Sequence, residues 1–125
     1  MKLDQDLIRN LLLELESQEH DSSLSEKQLH EFSDENKIDW KQLIYTIQRL
    51  NEAGYIDAKI SYADNDVYWV NINNITYDGH LFLDNIRDKT VWEKTKKRLS
   101  NIASVSLPII SEVASVIIKE QLGLH

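Results

Sequence analysis

Cysteine is absent from this 125-residue chain, which removes both a disulfide framework and thiolate metal ligands from consideration. Its single proline and three glycines leave no material for a Gly/Pro-rich linker or a glycine-rich phosphate loop. Long hydrophobic runs are missing too. The most apolar stretch, Val105 to Leu122, is broken by Ser106, Ser111, Glu112, Ser115, Lys119 and Glu120, too many polar groups for a membrane span. The opening residues lack the basic flank and apolar run of a secretory signal, so a cytoplasmic protein is expected.

The chemistry of catalysis is also thinly represented. His20, His30, His80 and His125 form no i, i+4 pair that would set two imidazoles on one helical face, so no zinc ligand set is indicated. No nucleophile elbow or close acidic pair in an apolar setting occurs, and most carboxylates fall in loops and helix caps. The expectation is a non-enzyme without catalytic residues, metal or cofactor.

What the chain does contain is patterned. With 42% apolar residues it can bury one core, and a single domain is expected, with a winged-helix core over residues 1–75 and a helical extension over 76–125. Helix one should run from Asp4 to Glu16, with Leu3 and Ile8 forming a hydrophobic staple and Leu7, Leu11, Leu12 and Leu15 an apolar stripe. The polar run Ser17 to Ser23 reads as a loop. Ser25 and Gln28 have capping-box spacing ahead of Leu29 and Phe32. Asp39 and Gln42 have similar spacing ahead of Trp40, Leu43, Ile47 and Leu50, the buried stripe of a third helix ended by Gly54.

From Tyr55 the apolar period becomes two. Ile56, Ala58, Ile60 and Tyr62 alternate with polar residues, Ala63 to Asp66 supplies a turn, and Val67 to Ile72 returns as a second strand. Tyr68, Val70 and Ile72 then share one face and Val67, Trp69 and Asn71 the other; Trp69 is expected to pack against the C-terminal helices. Three more helices follow. Thr76 caps the first, with Leu81, Phe82, Leu83 and Ile86 to bury, and Gly79 in its first turn implies a close approach to a neighbour. Asp88 caps the second, whose inward stripe is Val91, Trp92, Thr95, Leu99 and Ile102. Ser106 and Pro108 open the third, closed by Gly123. The fold class is therefore α+β, mostly α: a winged helix-turn-helix with three additional C-terminal helices.

On the third helix Lys41, Gln42, Tyr45, Thr46, Gln48 and Arg49 lie off the stripe. Gln and Arg suit base edges, Lys, Thr and Tyr suit phosphates, and Lys59 on the first strand adds a wing contact, so these are the candidate DNA-binding residues. Ile44 interrupts that polar face, and Asp39 and Glu52 put negative charge at its ends. The net charge of −7 opposes phosphate in general. Residues 1–23 hold two basic and six acidic side chains, whereas residues 84–125 hold seven and five. Lys94, Lys96, Lys97 and Arg98 form one basic group whose clustering suits tracking of a nucleic-acid backbone, with a solvated helix face as the favoured explanation. The last helix has more apolar surface than one stripe needs, which makes it either a central core helix or the seam of a homodimer.

Met1 to Arg9, Ala53-Gly54-Tyr55-Ile56, Ile75 to His80 with Phe82-Leu83, Asp84 to Trp92 and the ending Gln121 to Leu124 together resemble a family of short proteins. That family is the domain of unknown function 2513, associated with bacteria and their prophages. Leu50, Ala53 to Ile56 and Thr76 to Gly79 also resemble the skeleton of bacterial winged-helix regulators, which implies Gln42, Tyr45, Thr46, Gln48 and Arg49 as DNA-reading positions. The leading expectation is a phage-associated, dimeric transcription regulator that binds double-stranded DNA. The alternative is an acidic winged-helix adaptor in which Ile44, Tyr45 and Trp69 meet a protein partner.

Overall fold

The computed structural model describes residues 1–18 and 21–124, with the backbone alone at Tyr68. Eight elements follow in order: α1 (Gln5–Glu16), α2 (Glu26–Glu35), α3 (Trp40–Glu52), β1 (Ile56–Ala63), β2 (Asp66–Ile75), α4 (Tyr77–Ile86), α5 (Lys89–Leu99) and α6 (Leu107–Gln121). The fold is α+β and mostly helical, with a winged-helix-like layout.

Local signals explain most boundaries. The Asp4 carboxylate accepts the Leu7 amide at 3.1 Å, and Ser25 and Gln28 exchange both bonds of a capping box. Thr76 and Asp88 cap α4 and α5 in the same way. Asp39 precedes α3 as expected but makes no side-chain cap bond, and Gln42 instead donates to the Lys2 carbonyl at 2.9 Å. Gly54 ends the α3 segment at φ +80°, a left-handed conformation that costs glycine little. Asp64 and Asn65 are both at positive φ between the paired residues Ala63 and Asp66, which makes the hairpin loop a two-residue turn whose twist matches its strands.

The sheet contains one strand segment absent from the sequence reading. Leu24 pairs antiparallel with Ile72, each amide bonding the other's carbonyl at 2.9 Å. This single bridge makes the antiparallel sheet three-stranded and places its third member between α1 and α2. The expected loop Ser17 to Ser23 stops just short of it; Glu19 and His20 within that loop lie outside the described residues, as does His125.

One apolar cluster contains residues from every helix and both strands. Leu7, Ile8, Leu11, Leu12 and Leu15 run along α1, all within it. Polar bonds lock the same helix to the C-terminal part. Arg9 donates to the Ile86 and Arg87 carbonyls at the end of α4, Arg87 grips Glu16, and the Trp92 indole donates to Asp6 at 2.8 Å. Gly79 confirms the close approach expected of it, since a β-carbon there would lie 1.9 Å from the Tyr55 carbonyl oxygen.

Four expectations about burial change. Ile102 follows α5 instead of continuing its stripe and is 56% exposed, because the helix stops at Leu99. Leu81 is exposed while Phe82, Leu83 and Ile86 carry the inward face of α4. Trp40 is only half-buried, stacked on His30 at a centroid distance of 3.6 Å. Trp69 is 36% exposed and borders a groove with Leu24, Ser25 and Gln28, whose lining among the described residues includes none from the C-terminal helices against which it was expected to pack. The α6 face bearing Leu107, Ile110, Ala114 and Ile117 enters the core, and Ile109 and Val116 remain exposed on its outer side.

Candidate interaction surface

Positions 40, 44 and 48 of α3 rise one turn at a time along a single helical face. The hairpin lies against that face, and helix and turn enclose a cleft of about 280 Å³. Its α3 wall consists of Trp40, Lys41, Ile44 and Gln48, and its hairpin wall of Tyr62, Asn65, Asp66 and Val67. Tyr62 and Val67 are cross-strand partners, so the hairpin register delivers them together. The Gln48 amide donates to the Tyr62 hydroxyl at 3.1 Å and joins the two walls.

This geometry redistributes the candidate DNA-binding residues. Thr46 leaves the surface: it is fully buried, and its hydroxyl donates to the Gln42 carbonyl within the helix at 2.8 Å. Gln42 is held by Lys2, and Gln48 by Tyr62. Arg49 bonds Glu52 at 2.5 Å, its guanidinium carbon lies 5.1 Å from the centre of the Tyr45 ring, and its Nε is buried without a hydrogen-bond partner. Among these seven candidates, Lys41 and Lys59 are the exposed cations outside the described ion pairs. Ile44, read from the sequence as part of the exposed face, is 8% exposed because the hairpin folds over it.

The surface is acidic. From Asp39 to Asp66 the chain carries five carboxylates, Asp39, Glu52, Asp57, Asp64 and Asp66, against three cations, Lys41, Arg49 and Lys59. The C-terminal basic group is partly neutralised as well, since Lys96 meets Asp6 and Glu93 while Arg98 meets Glu120. Burial raises the Asp6 carboxyl, but hydrogen bonds from Trp92 and Lys96, with the charges of Lys96 and Arg9, outweigh it and hold the group below its ordinary value. These pairs belong to the frame that supports the cleft and lie outside its walls.

Comparison with known proteins places the chain in a family. The family described as "Hypothetical protein (DUF2513)" matches residues 2–106. The chain belongs to the DUF2513 family. A Haemophilus influenzae relative described as "Uncharacterized protein" is 36% identical over 125 residues, an alignment spanning 98% of this chain and 100% of the relative. No solved structure gives a significant match. In this DUF2513 chain the sequence showed both the α3 helix and the hairpin, but not that the two meet around Trp40, Ile44, Tyr62 and Val67. The signal for the hairpin wall was the two-residue turn, which forces Tyr62 and Val67 to pair.

Proposed function

We propose that this DUF2513 protein is a non-enzymatic adaptor that binds a protein partner through the surface formed by α3 and the hairpin turn. The observation carrying this reading is the cleft itself: polar side chains suited to reading bases are tied down or buried, while Trp40, Ile44, Tyr62 and Val67 line a recess that they share with Lys41, Gln48, Asn65 and Asp66. Aromatic and apolar groups in a recess are the usual anchors of a protein interface, and a polar rim surrounds them. The local excess of carboxylates adds repulsion towards a phosphate backbone.

A second reading, regulation of transcription by double-stranded DNA binding, is favoured by the winged-helix-like layout together with the exposed Lys41 and Lys59. The two readings separate by mutation and salt. A partner recovered by affinity capture, then titrated against the purified protein, should lose binding on Tyr62→Ala and keep most of its affinity as salt rises. A duplex contact should instead be lost on replacing Lys41 and weaken steeply with salt. Binding of the captured protein unchanged by Tyr62→Ala would remove the adaptor reading from this surface.

A further inference from the structure

The walls of the cleft have the chemistry of a cation site. Trp40 and Tyr62 present aromatic surface, Ile44 and Val67 present aliphatic surface, and Gln48 and Asp66 supply acceptor oxygens. One face of Trp40 is stacked on His30 with the rings 13° apart, so it is the remainder of the indole that reaches the cleft. One Asp66 oxygen already accepts the Val67 amide at 2.8 Å, which fixes the carboxylate and leaves the second oxygen free of described bonds. Asp39 and Asp64, each one residue from a lining position, add to the negative potential, and Lys41 is the single cation on the walls.

We propose that the cleft binds an arginine side chain of the partner polypeptide. This rests on the adaptor reading of the same surface and names the group it recognises. A guanidinium is planar, stacks on aromatic faces, is more weakly hydrated than an ammonium and donates to a carboxylate in its own plane. Its aliphatic stem lies against Ile44 and Val67, its head meets Tyr62 and Asp66, and Lys41 donates to a main-chain carbonyl of the bound segment. The net charge of −7 steers a basic segment towards the protein. An acidic segment or a phosphate meets Asp66 on the wall, with Asp39 and Asp64 each one residue away in sequence from a lining position.

The test uses blocked Gly/Ser peptides with one central arginine, lysine, norleucine or glutamate, titrated into the full chain while backbone and indole N–H signals are followed by NMR. The arginine peptide should produce saturable shifts at the Trp40 indole, the Gln48 amide and the Asn65-Asp66 turn, larger than those from lysine, with none from norleucine or glutamate. Asp66→Asn, which retains an acceptor for the Val67 amide, should weaken arginine binding roughly tenfold. Absence of these shifts, or equal shifts from glutamate, overturns the proposal. If a captured partner still depends on Tyr62 while the arginine peptide is silent, arginine recognition falls and the adaptor reading stands. If a DNA duplex moves these signals and the peptide does not, both fall.

Discussion

Gln48 donates its side-chain amide to the Tyr62 hydroxyl across 3.1 Å, a bond between residues 14 apart that fastens α3 to the hairpin. It uses the very side chain that a DNA-reading helix would present to a base edge. Being exposed to water, the bond should contribute at the low end of the usual net range, about 0.5 kcal/mol. A double-mutant cycle with Gln48→Ala and Tyr62→Phe, read by urea unfolding, should return a coupling of that order. A coupling near zero would mean that the hairpin is held against α3 by its apolar contacts alone.

Gly79 and Gly54 make opposite predictions about alanine. At Gly79 the added carbon would meet the Tyr55 carbonyl oxygen at 1.9 Å and the Ile75 Cγ2 at 2.7 Å, both parts of the packed interior. Gly79→Ala should therefore cost about 3 kcal/mol or more, at or beyond the upper end of ordinary overpacking. At Gly54 nothing lies within 4 Å, and the cost of alanine is only that of its left-handed backbone, about 1–2 kcal/mol. Urea midpoints of the two variants should fall in that order.

Thr46→Val tests the reassignment of a residue that sequence reasoning had placed on the reading face. Its hydroxyl serves only the helix, so the change should leave binding to any partner unaltered and shift stability by less than about 1.5 kcal/mol. Loss of binding with an unchanged urea midpoint would return Thr46 to the interface.

Acid should loosen the joint between α1 and the C-terminal helices. The Arg87 hydrogen bond, opposed by burial and aided by the Arg87 charge, holds the Glu16 carboxyl below its ordinary value, and Asp6 is likewise lowered. A carboxyl depressed in the folded state contributes stability that is complete above its unfolded pKa and disappears as pH falls through the folded one. Melting temperature should therefore hold above about pH 5 and decline below about pH 4, where such carboxyls begin to take up protons. Glu16→Gln should flatten that decline; an unchanged slope would show that the Arg87 pair does not couple protonation to folding.

Much of this fold was written in local chemistry. Caps at Asp4, Ser25, Thr76 and Asp88, the switch from helical to alternating period at Tyr55, and Gly54 each mark a boundary within a few residues of its cause. Leu24 was illegible because one apolar residue in a polar run has no period, and its role comes from Ile72, far along the chain. Ile102 fails for the opposite reason: it continues the helical period of α5, but the helix has already ended. At the candidate site, of the six α3 positions read from the helical period, Lys41 and Gln48 line the cleft and Thr46 is buried. The hairpin's coverage of Ile44 and its bond to Gln48 were not legible, since they arise only when two elements meet.

The measurement that bears most directly on the account is fluorescence anisotropy of a labelled duplex from the region upstream of the protein's own gene, titrated at about 50 and about 200 mM salt. A protein-binding surface with tied-down reading residues and excess carboxylates predicts no saturable binding at either salt, with Lys41→Ala indistinguishable from the parent protein. Saturable binding that weakens steeply with salt and disappears in Lys41→Ala would contradict it and make DNA the partner of this surface.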